Sequence, residues 1–240
     1  MFNTFHVYGL MIGLAVVAGL WVIERKEKEL DSFLVFFVLS FALVGARVYH
    51  LVTDWSFYAD ASFFEVIAVW NGGLGIFGAI VGGILGIVLY LLYRQKPLER
   101  IWRYTDLFAL ALPLGQAVGR WGNFVNNEIQ GVLLGNSILE RFAKSQLGID
   151  KHPLFLYESL AMFFIWLLLD YAQTHAHLRI GTGKILGIYI FAYGVVRFFL
   201  ENFRQERAYL FSSMFLNGQV AGLFAMMIGG AILLLRRKKT

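Results

Sequence analysis

Residues 119–131, Gly119-Arg120-Trp121-Gly122-Asn123-Phe124-Val125-Asn126-Asn127-Glu128-Ile129-Gln130-Gly131, set an arginine, three asparagines and a glutamate at the end of a strongly apolar run. Ionisable groups at hydrocarbon depth are costly unless they are paired or wetted, so they face a cavity by default. Arginine presents five donors in a planar fork that suits a phosphate or carboxylate, and asparagine both donates and accepts. The chemistry this composition supports is the holding of an anion beside lipid. If a helix runs through the segment, Arg120, Asn123 and Asn127 share one stripe. Glu128 then lies about 80° round from Arg120, so a break near Gly122, or a loop, is needed to bring the two face to face. A buried arginine–glutamate pair that only pins two helices together is the plainer alternative, and the density of polar residues favours a site over it.

A second constellation is Arg197-Phe198-Phe199-Leu200-Glu201-Asn202-Phe203-Arg204-Gln205-Glu206. Arg197, Glu201 and Arg204 fall on a single helical face, where Glu201 is placed to hold Arg197 for a phosphate. His152-Pro153-Leu154-Phe155-Leu156-Tyr157-Glu158 opens another apolar run, with Pro153 suited to a first helical turn. Tyr157 and Glu158 read there as anchors at the membrane interface. Tyr8, and the run Arg47-Val48-Tyr49-His50, are ambiguous taken singly.

The elements that position these residues follow from composition. Of 240 residues, 58% are hydrophobic and 15% charged, whereas a soluble domain carries about 25% charged residues. The expectation is a single all-α polytopic membrane domain over residues 1–240. Seven runs are long enough for a helical crossing, at roughly 5–23, 32–52, 72–93, 104–122, 153–172, 183–201 and 214–235. Arg47, Arg120 and Arg197 lie within them or at an edge. Of the other lysines and arginines, thirteen fall on one side, among them Arg25, Lys26, Arg94, Lys96, Arg100, Arg103 and Arg236, and five on the other. The positive-inside rule therefore puts the N-terminus outside and the C-terminus in the cytoplasm. The net charge of +5 is on this account a topology signal, and no nucleic-acid partner is expected. The first span, without a basic leader or small-residue cleavage site, is expected to be a retained helix.

With no cysteine, the chain has no disulfide framework, no thiolate nucleophile and no cysteine-held metal. No histidine–carboxylate set stands at metal-ligand spacing, so neither metal nor cofactor is expected. The stretch 52–71 carries Asp54, Asp60 and Glu65 without lysine or arginine and is rich in aromatics, which suits an amphipathic piece lying at the outer interface. The longest connection, 123–152, falls on the same side. Gly72, Gly73, Gly75, Gly78, Gly82, Gly83 and Gly86 in the third run read as a close helix-packing seam. Gly72-Gly73 is alternatively a turn that exposes backbone N–H groups.

Gly119-Arg120-x-Gly122-Asn123-Phe124-x-Asn126-x-Glu128-x-x-Gly131 resembles the signature of the prolipoprotein diacylglyceryl transferases. The resemblance extends through Tyr8-Gly9, Asn71-Gly72-Gly73, His152-Pro153 with Leu156-Tyr157-Glu158, and Arg197 with Glu201, Phe203, Arg204 and Gln205. It implies transfer of diacylglycerol from phosphatidylglycerol to the lipobox cysteine thiol of a prolipoprotein, releasing glycerol phosphate, in the bacterial cytoplasmic membrane. By the same resemblance Arg120, Glu128, Arg197 and Tyr8 are catalytic. Asn123, Asn126, Gly131, His152, Glu201 and Arg204, with Arg120, bind substrate. One position departs from the pattern: the family often has a histidine, assigned as base, where this chain has Phe77. Thiol activation then falls to Glu128, Tyr8, His152 or the lipid phosphate. The competing expectations are a transporter with arginines lining an anion path, against which no inverted repeat is visible, and a non-catalytic binder of an anionic lipid.

Overall fold

The computed structural model describes residues 4–237 apart from 60, 70–72, 127–130, 136, 138–139, 142–143, 146–149, 177, 206–208 and 211–214. The chain forms helices α1 (Thr4–Lys26), α2 (Ser32–Thr53), α3 (Trp55–Tyr58), α4 (Phe63–Ile67), α5 (Ile76–Tyr93), α6 (Ile101–Val125), α7 (Leu154–His175), α8 (Lys184–Leu200) and α9 (Asn217–Leu235). A short antiparallel pair, β1 (Tyr209–Leu210) and β2 (Phe215–Leu216), precedes α9. Each of the seven expected runs coincides with one long helix. Among the described residues, α2, α5, α7, α8 and α9 are long and apolar enough to cross a membrane. The apolar run of α6 is interrupted by Asp106, Gln116 and Arg120. Large apolar side chains such as Val17, Phe36, Val81, Leu168 and Leu234 point outward on these helices. Such outward faces would be unstable in water and are at home in hydrocarbon.

By its contacts the chain divides into two compact units, residues 27–105 and residues 1–26 with 106–240. In the first, α2 and α5 meet along glycines, because a side chain there would strike backbone. A Cβ on Gly82 would lie 2.1 Å from the carbonyl oxygen of Phe41, and one on Gly78 would lie 2.1 Å from that of Gly45. The seam expected from the glycine run is therefore real. Arg47, buried in α2, is a clamp on the following segment. Its Nε donates to Val66 O at 2.7 Å, its Nη2 to Glu65 O at 2.6 Å and its Nη1 to Gly73 O at 3.2 Å. The first two acceptors belong to the last turn of α4, where the Glu65 carbonyl also accepts the Ala68 N–H at 3.3 Å. At its other end α4 is closed by a capping box between Ser62 and Glu65.

In the larger unit α1 lies along α6, with Gly115 against the Ala15 carbonyl. The Ser159 hydroxyl of α7 donates to Ala117 O of α6 at 2.8 Å. A second small-residue seam joins α8 to α9 through Gly187, Gly194, Gly222 and Gly229. The turn into α8 is held by Asp106, fully buried, whose carboxylate accepts from the N–H groups of Gly181, Gly183 and Leu186 at 2.9, 2.8 and 2.9 Å. Gly183 takes φ of 79° at this turn, which an L-residue tolerates poorly.

Candidate active site

The charged side chains buried most deeply among the described residues are Arg47, Asp106, Glu158 and Glu201. Backbone groups satisfy the first two, as described above. Glu158 and Glu201 are instead paired with arginines, and these are the sequence candidates Arg120, Arg197 and Arg204.

Helix α6 carries Arg120 near its end. Of the two ways to bring Glu128 round to Arg120, a break near Gly122 is absent: the helix continues to Val125, and Asn126 closes it with its N–H on Gly122 O at 3.1 Å. Glycine lowers helix propensity by only about 1 kcal/mol, which packing in an apolar bundle readily offsets. The expected Arg120 stripe holds at its first step, with Arg120 Nη1 donating to Asn123 Oδ1 at 3.4 Å. Asn127 and Glu128 lie outside the described residues.

Helix α7 supplies the partner that the sequence hid. Glu158 is not an interface anchor; it is 5% exposed and sits between two guanidinium groups. Arg120 Nε lies 2.5 Å from Glu158 Oε2, and Arg197 Nη1 of α8 lies 3.7 Å from Oε1. Ser159 fixes the register of this contact by tying α7 to α6 one turn before Arg120. Arg197 reaches on to Glu201 Oε2 at 2.9 Å, and Arg204 Nη1 lies 3.7 Å from the same oxygen. The single helical face expected for this trio is modified. Helix α8 ends at Leu200 and a 3-10 turn, Glu201–Phe203, brings Arg204 to Glu201 at a spacing of three. The result is an alternating row, Arg120–Glu158–Arg197–Glu201–Arg204, contributed by three helices and the turn after α8.

Glu201 is 2% exposed and also accepts from the Gly218 N–H at the start of α9, at 3.3 Å. The approach is so close that a Cβ on Gly218 would lie 2.3 Å from the carboxylate carbon. Oε2 of Glu158 and Oε2 of Glu201 make no aligned hydrogen bond among the described residues. At these two oxygens the attraction is that of charge proximity. Arg120 thus meets Glu158 through Nε and Asn123 through Nη1.

The loop from Gly131 braces this end of the unit. Gly131 bridges Arg204, Val132 N–H donates to Phe203 O at 2.8 Å, and His152 N–H donates to Val132 O at 3.0 Å. Only glycine fits at 131, since a Cβ would stand 2.3 Å from the His152 carbonyl oxygen. The His152 ring packs on Phe203 at 4.9 Å between centroids. Its Nδ1 is 3.3 Å from the Tyr157 hydroxyl and its Nε2 3.7 Å from Glu140. Hydrogen bonds from the Ser137 hydroxyl and backbone hold the Glu140 carboxyl below the usual carboxylate range. Of the expected residues, the structure thus gathers Arg120, Asn123, Arg197, Glu201 and Arg204 into one row, and places Gly131 and His152 in the loop that braces it. Tyr8 lies in α1. Phe77, in the first turn of α5, packs beside Tyr49 at 5.9 Å.

Apolar helices with outward-facing hydrophobic side chains, and two buried carboxylates met by half-buried arginines, are features of a polytopic membrane protein. The chain is matched over residues 2–235 by the sequence model of the prolipoprotein diacylglyceryl transferases. It is 34% identical over 251 residues to a phosphatidylglycerol–prolipoprotein diacylglyceryl transferase of Bacillus licheniformis, covering 98% of this chain and 89% of that one. The protein of the same description from Finegoldia magna is 34% identical over 239 residues, covering 97% and 91%, and that of Streptococcus uberis 31% over 244, covering 98% and 92%. The chain therefore belongs to the prolipoprotein diacylglyceryl transferase family.

Proposed function

We propose that this protein transfers the diacylglyceryl group of phosphatidylglycerol to the lipobox cysteine thiol of prolipoproteins, the first step of bacterial lipoprotein maturation. It acts as one polytopic domain of the cytoplasmic membrane, with seven spans, the N-terminus outside and the C-terminus inside. The observation that carries the proposal is the pair of guanidinium groups, Arg120 and Arg197, drawn to one buried carboxylate in a chain of this family.

In the reaction the cysteine sulfur forms a bond to the terminal glycerol carbon, the carbon–oxygen bond to phosphate breaks, and the thiol proton passes to a base. Glycerol phosphate leaves with the electron pair on its ester oxygen. Charge grows on that oxygen in the transition state, and Arg120 and Arg197 stabilise it most at that point. A preorganised donor aimed at such charge is worth about 3–4 kcal/mol. Asn123 and Asn126 complete the polar lining, Gly131 and His152 brace the loop, and Glu201 holds both Arg197 and Arg204. Glu128, Tyr8, His152 and the lipid phosphate are the candidate proton acceptors, because Phe77 cannot take a proton.

The test is purified protein in detergent with phosphatidylglycerol and a lipobox peptide, following glycerol phosphate release. Release is expected to need the peptide cysteine, and to fall by about a hundredfold or more in Arg120→Ala. Release that persists with a Cys→Ser peptide, or that is unchanged in Arg120→Ala, would overturn the proposal.

A further inference from the structure

We propose that Glu158 is a positioning residue that sets how strongly Arg120 and Arg197 hold the lipid phosphate before reaction, by competing with it for both guanidinium groups. The inference rests on the transferase reading and adds to it a residue and its role.

Three features of the site lead here. Glu158 is the one carboxylate, among the described residues, that meets both Arg120 and Arg197, and these come from different helices. It is buried, so its charge acts with little screening by water. Its Oε2 is fully enclosed and makes no aligned hydrogen bond, so this oxygen is met by the Arg120 charge, whereas the Asp106 carboxylate accepts from three backbone N–H groups. Ser159, its neighbour, carries the helix-to-helix hydrogen bond, which leaves Glu158 free of that duty.

A fixed negative charge between two phosphate-binding arginines has a definite consequence. The ground-state lipid carries one negative charge on its phosphodiester, and the leaving phosphate monoester carries more. Glu158 weakens the attraction for the first, so that the arginines are not saturated by the substrate. It also fixes the spacing of the guanidinium groups, so that both meet the charge that develops as the carbon–oxygen bond breaks. This is differential binding: attraction withheld from the substrate and expressed in the transition state raises kcat.

The variants Glu158→Gln and Glu158→Asp separate charge from geometry. Gln keeps the shape and removes the competitor. Asp keeps the competing charge between the arginines but withdraws it by one methylene, so it changes the spacing of the guanidinium groups and leaves the charge in place. Binding of phosphatidylglycerol to the purified protein in detergent, without peptide, is measured alongside turnover with the lipobox peptide. For Glu158→Gln, lipid affinity is expected to rise roughly threefold or more while kcat falls about ten- to a hundredfold, a split that simple misfolding does not produce. For Glu158→Asp, affinity is expected to stay within about twofold of wild type, with kcat reduced.

Lipid affinity that is unchanged or weakened in a folded Glu158→Gln protein overturns the proposal, as does an unchanged kcat. If Glu158→Gln does not fold, the Asp variant decides: wild-type kcat there overturns the proposal, and reduced kcat at preserved affinity supports it. A wild-type protein that binds the lipid but never releases glycerol phosphate would defeat the transferase reading instead, and the binding comparison would still decide whether Glu158 competes for the arginines.

Discussion

Replacing Gly218 by alanine should inactivate the site from outside it. Gly218 touches none of the arginines, but its Cα faces the Glu201 carboxylate, and an alanine Cβ would lie 2.3 Å from both Cδ and Oε2. Ordinary contact at such a position begins near 3.4 Å, so either the carboxylate or the start of α9 must move by about 1 Å. Glu201 cannot simply swing away, because it is buried and held by Arg197 at 2.9 Å and by Arg204 at 3.7 Å. Helix α9 is equally constrained by its glycine seam with α8. Overpacking of this kind costs about 1–3 kcal/mol, which at about 2–4 °C per kcal/mol in a chain of this size lowers the unfolding midpoint by about 2–12 °C. The effect on rate should be larger in proportion, since a displacement of about 1 Å in a positioning group can cost about a hundredfold. The assay is glycerol phosphate release in detergent, run well below the variant's midpoint. A loss of about ten- to a hundredfold is expected. Adding Glu201→Asp, which withdraws the carboxylate by one methylene, should restore most of the midpoint and little of the rate. A folded Gly218→Ala protein that keeps more than half of the wild-type rate would refute the idea that Glu201 must stay in place for Arg197 to work.

Asp106→Ala removes a buried carboxylate from three backbone N–H groups, which at about 1.5–3 kcal/mol each and with incomplete additivity should cost about 4–6 kcal/mol. Thermal unfolding in detergent should show a midpoint lowered by about 10 °C or more; a shift of under about 2 °C would mean that the turn into α8 does not depend on Asp106. Arg47→Met should loosen the segment 61–68 before the rest of the molecule opens, because the carbonyls of Glu65, Val66 and Gly73 lose the Arg47 guanidinium and that of Glu65 keeps only the Ala68 N–H. Amide hydrogen exchange there should quicken while α7 and α8 stay protected, and uniform protection across the variant would contradict the clamp. In acid, Asp31 supplies a further check. Burial pushes its carboxyl up, but hydrogen bonds from the Phe33 N–H, Tyr90 and Arg94, with the Arg94 charge, win and hold it below the usual range. The unfolded chain then binds more protons than the folded one as pH falls, so the stability Asp31 contributes is present above the ordinary carboxylate range and is lost as pH drops through the lower folded value. Asp31→Asn should flatten that acid slope, and an unchanged slope would remove Asp31 from the account.

The positions of the long helices were legible in the sequence because lipid permits so few solutions. A chain in hydrocarbon must satisfy every backbone group internally, so a run of about 20 apolar residues has to be a helix. Arg120 and Arg197 were legible for the complementary reason: a cation within or at the edge of such a run is conspicuous. Neither logic reached Glu158. It begins a span, where acidic and aromatic residues usually mark the interface, and nothing local tells a carboxylate facing water from one facing inward. Nor could composition and spacing separate Arg47 from Arg120, both arginines in apolar runs of similar length; in the sequence only the family resemblance set Arg120 apart. The fold separates them, since Arg47 meets backbone carbonyls of its own neighbourhood and Arg120 meets a carboxylate from another helix. What a charge does in a membrane depends on which partner the rotation and packing of its helix present to it. The contacts that set this rotation, among them the Ser159–Ala117 hydrogen bond and the glycine seams of α8 with α9, join residues far apart in the chain. Sequence alone therefore determined that this protein is a bundle of apolar helices carrying a few charges that need partners, and only the tertiary structure decided that Glu158 is the carboxylate the two arginines share.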